Sequence, residues 1–466
     1  MKKTALLGSL CLILGISLSS CQKETVNPAS QTTTATTDFS KNAMVANATA
    51  SDDTYTLQNQ LNAGDVTLTA GRVYNVSGFT VSHALNMNGA IINVTAAYGY
   101  PVRMSRYGAS ITNGTIKGTW TTAQAADPSN GAAGLWITAD NCSVSHVTIS
   151  GFSSYGVLCA AVNNVSFTYN VIKNIGYLGF YFDAETKNTS GGIFNHNTVD
   201  MSMLSASSAS GSGIAIRASS NNPAITTSNW TINANNVKMP YNPSNWNASG
   251  IEVRYMTNST ICANTFTNGS IGCSVVRSSD VTVSWNQFSG SSHEALEFAD
   301  TKSSSSLSNT ITSGQVGILI DGAYGSKSII LSGDKISGTV KECIHAYTNT
   351  YDLTITGCTL TAGDNAKAIN LQATNMVKIQ NTIFNGDGIA AMAVMMDNCP
   401  GNLAITGGSV SNFKSSVISI YNSKAGITTS NVTMNGVATS GVPKGLVTVL
   451  EYGTFLGSNI LVGFGL

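Results

Sequence analysis

Charge is scarce in this 466-residue chain: only 10% of residues are Asp, Glu, Lys or Arg, and the acidic and basic totals are equal. A neutral balance leaves no basic stripe for nucleic acid and no polybasic patch for a membrane surface. Closely spaced cysteine pairs are missing too. Apart from Cys11 and Cys21, seven of the nine cysteines remain, an odd number without close spacing, which argues against a disulfide framework. No C-x-x-C pair or His/Cys cluster offers zinc a site. The one apolar run near the N-terminus, Ala5 to Leu18, falls short of the ~20 residues a membrane-crossing helix needs.

What is present is glycine (45 residues), with much Ser, Thr and Asn. Apolar residues run through this background with period two. In Ser249-Gly250-Ile251-Glu252-Val253-Arg254-Tyr255, Ile251 and Val253 alternate with Glu252 and Arg254, the pattern of a strand with one buried face. The unit recurs, with starts at Gly134, Gly156, Gly179, Gly213, Gly250, Gly272, Ala295, Gly317, Cys343, Ala368, Ala393, Val417 and Leu446. Asn keeps a fixed phase within it, at Asn170, Asn264, Asn286 and Asn309 near one corner and at Asn141, Asn163 and Asn375 near another. A period of roughly 22 to 26 residues with fixed turn residues means a solenoid. Asn at corners suits left-handed backbone and stacked amide ladders. The Leu framework of a leucine-rich repeat is absent.

Lys2 and Lys3, the apolar run and Leu18-Ser19-Ser20-Cys21 resemble a bacterial lipobox. That resemblance implies a signal peptide over 1–20, a lipidated Cys21 as membrane anchor, and an outer-membrane address on the periplasmic side or the cell surface. Residues 21–50, rich in Thr, Ala and Asn, read as a flexible tether. Leu57 to Asn62 reads as a short capping helix. Thr67-Leu68-Thr69-Ala70-Gly71-Arg72-Val73-Tyr74-Asn75-Val76 resembles the first coil of the pectate-lyase-like superfamily. The expected fold is therefore all-β: one right-handed parallel β-helix domain over 51–466, of about 13 to 15 coils. The resemblance implies a groove on the recurrent strand face that binds polysaccharide.

Stacking equivalent positions about 4.8 Å apart turns the outward residues into two columns. One runs Trp136, Leu158, Tyr181, Ala215, Glu252, Ser274, Glu297, Leu319, His345, Asn370. The other runs Thr138, Ala160, Asp183, Arg217, Arg254, Val276, Ala299, Asp321, Tyr347, Gln372. Arg217 and Arg254 are neighbours, and like charges directly opposite are unfavourable. Either flanking carboxylates (Asp183, Glu252) or an anionic ligand must answer them. Insertions at Trp120–Ala133, Met201–Ser212 and Met239–Ser249 precede these strands and would wall the groove, bringing Tyr241 and Trp246 to it. The candidate catalytic set is Glu252, Arg254, Arg217, Glu297 and Asp321. Tyr181, Asp183, Tyr241, Trp246, His345 and Tyr347 are candidate substrate contacts.

The chain lacks the polygalacturonase set, the pectate lyase W-I-D-H segment, the chondroitinase-B-like Lys and Arg, and the Asp-Pro-His-Asp of mannuronan epimerases. Chemistry alone favours β-elimination on a uronate polysaccharide, the arginines neutralising its carboxylate. Hydrolysis or transglycosylation by Glu252, Glu297 and Asp321 is the alternative, and a non-catalytic glycan-binding or structural protein a third. Clustered Asp183, Glu252, Glu297 and Asp321 could instead hold Ca2+.

Overall fold

The chain enters the solenoid through a helix, Thr54–Ala63, whose Leu57 and Leu61 lie one turn apart and are buried over the first coil. It is longer at both ends than Leu57 to Asn62. Asp53, just before it, takes the Arg72 guanidinium at 2.6 Å and ties the cap to the coil beneath. The computed structural model describes residues 52–204, 211–218, 222–241, 248–390, 392–413, 418–421, 423, 427–430, 432–434, 437–438 and 447–450. The expected signal peptide, Cys21 and tether lie outside these residues, and so does Trp246.

After the helix the described body is strand, in a parallel solenoid of about 13 turns. A typical coil contributes three strands, such as Ser249–Arg254, Met256–Cys262 and Thr265–Thr267, before the next begins at Ile271. The repeat phase holds without a slip: Ile214 pairs with Ile251, Ile251 with Cys273, Cys273 with Leu296, Leu296 with Ile318, and Ile318 with Ile344. The long coils are thus insertions between strands. Ile214, Ile251, Phe298 and Ile320 are fully buried, as their inward phase requires. Cys159 and Cys273 fill inward positions as small hydrophobes. Gly250 shows why a strand so often starts with glycine. A Cβ there would sit 2.6 Å from the Gly272 carbonyl oxygen and 2.9 Å from the Phe266 ring.

One corner carries a buried amide ladder: Asn170, Asn197, Asn235, Asn264, Asn286, Asn309 and finally Asp334. Each amide nitrogen donates to the next side-chain oxygen at 2.9 to 3.1 Å. The left-handed backbone expected of these asparagines belongs to the residue before each one, as at Tyr169, Ala263, Trp285 and Ser308. At the other corner Asn141 adopts it itself, with φ 61°. The ladder asparagine needs its side chain indoors, where it satisfies backbone groups that water cannot reach.

Candidate active site on the recurrent strand face

Both outward columns exist. Tyr181 pairs with Ala215, Ala215 with Glu252, Glu252 with Ser274, Ser274 with Glu297, Glu297 with Leu319 and Leu319 with His345. In the second column Asp183 faces Arg217, and Arg217 faces Arg254. From Arg217 to Gln372 this face floors a groove of about 1090 Å3.

The arginine pair is answered from within. Arg217 grips Glu252 with two hydrogen bonds, Nη2 to Oε2 at 2.5 Å and Nε to Oε1 at 3.0 Å. Arg254 Nη2 adds a third, to Oε1 at 3.0 Å, and Ser212 Oγ lies 3.4 Å from Oε2. Glu252 faces outward yet is only 7% exposed beneath these partners. Asp183, though in register with Arg217, takes no part in the clamp; its carboxylate accepts the Glu185 backbone N–H at 3.0 Å. Burial raises its pKa. The arginines expected to wait for a substrate carboxylate are therefore engaged by Glu252, and only the Arg254 Nε–H is buried without a partner.

Two coil steps along, the carboxylates have no such help. Glu297 takes a short hydrogen bond from Ser274 Oγ on its Oε2. Burial pushes it up to about 7, and the nearby Asp321 and Glu252 charges add to the rise. Glu294 is 5% exposed, and burial together with Glu297 pushes it up to about 8. Burial also raises Asp321, which accepts a hydrogen bond from Tyr347 Oη at 3.0 Å on Oδ2 while Oδ1 is buried without a partner. Among the described residues no ion pair reaches any of the three. Because Asp321 lies two residues beyond Leu319, the partner of Glu297, the two are diagonal neighbours on parallel strands, with Cα atoms roughly 8 Å apart from strand spacing and rise.

Period two alone would send Glu294 inward. Ala295, however, stands where Gly250 stands two coils earlier, and both it and Leu296 are buried, so Glu294 emerges beside Glu297 in the groove. The same phase forms a third outward column: Glu294 pairs with Val316, Val316 with Glu342, and Glu342 with Lys367. Sequence reasoning missed Glu342 and Lys367, though extending each aligned strand by one residue toward its N-terminus would have shown them. They form an ion pair at 3.4 Å at the C-terminal end of the groove. There His345 Nε2 lies 3.0 Å from Gln372 Oε1, and the His345 and Tyr347 rings are 5.0 Å apart. At the other end Arg217 lies 5.7 Å from the centre of the Tyr181 ring. Tyr241 is exposed and does not line the groove.

The Trp120–Ala133 insertion does stand beside this face. The Asp127 backbone N–H donates to Ser153 O at 3.0 Å, and Ser154 Oγ donates to Pro128 O at 3.2 Å. Calcium fits poorly. The Glu252 oxygens are taken by guanidinium groups, and among the described residues no three acidic, His or Cys side chains converge on one point.

Residues 230–360 match the family model described as "Right handed beta helix region", which supplies the hand of the solenoid. No curated protein sequence matches the chain. Among solved structures it is similar to the A-module of the Azotobacter vinelandii mannuronan C-5 epimerase AlgE6, at 15% identity over 83% of this chain and 95% of that one, with a TM-score of 0.43. The Dettilon tailspike protein gives 13% identity over 66% of this chain and 63% of that one, with a TM-score of 0.47. PfbA, a surface adhesin of Streptococcus pneumoniae, gives 12% identity over 85% and 96%, with a TM-score of 0.38. At these identities and scores they say nothing of this chain's chemistry.

Proposed function

We propose that the groove hydrolyses a glycosidic bond in a neutral or weakly charged polysaccharide, with Glu297 as general acid and Asp321 as general base. The observation that carries this reading is a pair of buried carboxylates with raised proton affinity and no ion-pair partner among the described residues, set on adjacent strands two residues out of step, a placement that suits the ~6.5–9.5 Å between the carboxyl groups of an inverting glycosidase. Glu297, at about 7, retains a proton near neutrality to give to the leaving oxygen. Asp321, its Oδ1 without a partner, takes a proton from the water that attacks the anomeric carbon, and Tyr347 orients it. The Asp321 and Glu252 charges help to hold the Glu297 proton, and the Glu297 charge in turn helps to hold that of Glu294. Elimination on a uronate is the weaker reading here. It needs free cations, whereas both arginines hold Glu252 and the reacting centre would repel a substrate carboxylate. In the same proposal the lipobox-like stretch holds the enzyme at an outer membrane, and Cys21→Ser would release it from the membrane fraction.

The test is digestion of neutral and anionic polysaccharides. New reducing ends of inverted anomeric configuration, without ultraviolet absorbance from a C4=C5 bond, are expected. Both Glu297→Gln and Asp321→Asn should lower turnover at least ~100-fold. Unsaturated products from alginate or polygalacturonate would restore the elimination reading, and full activity in both variants would remove the acid–base pair.

A further inference from the structure

On the N-terminal side of the charged centre the outward face changes character. Trp136 and Tyr181 stand in the same column as Glu252 and Glu297. Tyr155 and Tyr181 stack with ring centres 5.5 Å apart, and Tyr177 meets Tyr155 edge-on at 5.9 Å. Two coils earlier Tyr100 packs on Trp136 at 4.5 Å, and the Arg103 guanidinium lies 4.4 Å from the Trp136 ring centre.

Core aromatics of this protein, such as Phe180 and Phe182, are fully buried. These rings differ: they sit half-buried or exposed on the outer surface, fixed by one another and by arginine. The Trp136 indole N–H is buried and has no acceptor. C-terminal to the centre, the first column instead offers His345 and Asn370.

We propose that Trp136, Tyr155, Tyr177 and Tyr181 form a sugar-binding platform that holds several rings of the polysaccharide on one side of the cleavage point. A pyranose presents C–H patches and hydroxyls together, which suits a rigid aromatic face with polar tips. Trp136 stands six coil steps from Glu297, roughly 29 Å at about 4.8 Å per step. The platform therefore adds binding for long chains and contributes nothing to short ones. Its occupant is a glycan laid parallel to the solenoid axis, continuous with the chain in the groove. The inference rests on the glycan-cleaving reading of that groove.

The experiment uses the full chain with a soluble glucan, galactan, mannan and xylan, and with alginate and polygalacturonate as anionic controls. Trp136→Ala and Tyr155→Ala should each raise KM at least about tenfold on the long polymer that is cleaved, with kcat unchanged. Short fragments from the protein's own digest should be cleaved as by the unaltered protein, and melting should be unchanged. Equal losses on long and short substrates, or no loss on long ones, would overturn the platform. Gel retardation by the same polymers separates the two ideas. Retardation lost in Trp136→Ala while Glu297→Gln keeps full turnover would leave the platform standing and remove the acid–base pair. Unchanged retardation in Trp136→Ala with an inactive Glu297→Gln would do the reverse.

Discussion

Glu252 and Glu297 stand in one column two coil steps apart, both outward and both largely covered, yet they have opposite electrostatics. Glu252 has two guanidinium groups on its oxygens, and its charge is spent before any ligand arrives. Glu297 has a serine hydroxyl and two carboxylate neighbours, and its proton is held into the neutral range. Burial without a counter-charge raises a carboxylate's pKa, whereas hydrogen bonds from a guanidinium offset the cost of burying a carboxylate. The same residue type on the same ladder is thus a tie in one coil and a reactive group in another. Its partners decide which.

The sharpest way to break that contrast is to neutralise each residue in turn. Glu297→Gln should cost at least ~100-fold in turnover while leaving stability intact. Glu252→Gln should cost mainly stability. It strands two arginines, and because these are 28% and 33% exposed at their side chains, solvent softens the penalty to about 1–3 kcal/mol, below that of a fully buried pair. Urea melts with activity per folded molecule check both. A stable, inactive Glu252→Gln beside an unstable, active Glu297→Gln would reverse the assignment.

A smaller effect concerns pH. Glu294 and Glu297 have folded pKa values of about 8 and about 7, above their ordinary 4.5. Their contribution to stability is complete below the unfolded value and is lost as pH rises through the folded ones, so stability should fall between about pH 4.5 and pH 8. Glu294→Gln should flatten the upper part of that fall. Because Glu294 keeps its proton above the range in which Glu297 loses its own, the same variant should leave the alkaline limb of the activity profile in place. A limb moved to lower pH would show that Glu294 is already charged where Glu297 titrates.

The fold was legible in the sequence because a solenoid repeats its evidence. A strand start misread in one coil would clash with the next, and the phase through Ile214, Ile251, Cys273 and Leu296 leaves no freedom. The two outward columns follow from that phase. The third column was legible only by extending each aligned strand one residue toward its N-terminus, since Ala295 adds a second consecutive buried residue and sends Glu294 to the groove against strict alternation. The pairing could not be read: Arg217 could have reached Asp183 or Glu252, and only side-chain geometry gives it to Glu252. Asn197 and Asn235 escaped notice because insertions in their coils displace them from the usual offset.

The interior ladder offers the same contrast between paired and unpaired groups in its mildest form. Asn264→Ala, in the middle, should cost about 1–3 kcal/mol at any pH by stranding buried backbone groups, with no loss of activity per folded molecule. Asp334, at the end, is the imperfect rung. Its Oδ1 accepts the Asn309 backbone N–H at 2.8 Å and the Asn309 amide at 3.1 Å, whereas its Oδ2 is buried with no partner. In earlier coils the corresponding atom is an amide nitrogen that donates to a backbone carbonyl, from Asn286 to Ile261 O and from Asn309 to Val283 O. The same step from position 334 leads to the Ser306 carbonyl. Burial pushes Asp334 up to about 6 from an ordinary 3.8, so its contribution to stability is complete below 3.8 and is lost as pH rises through 6. Asp334→Asn would supply the missing donor and remove the buried charge. It should therefore add about 1 kcal/mol at about pH 8 and little at about pH 3.5, where the protonated carboxyl already donates. Urea melts at the two pH values decide it. An equal gain at both, or a loss at the higher one, would show that the ladder ends in an acid for some other reason than an unfilled rung.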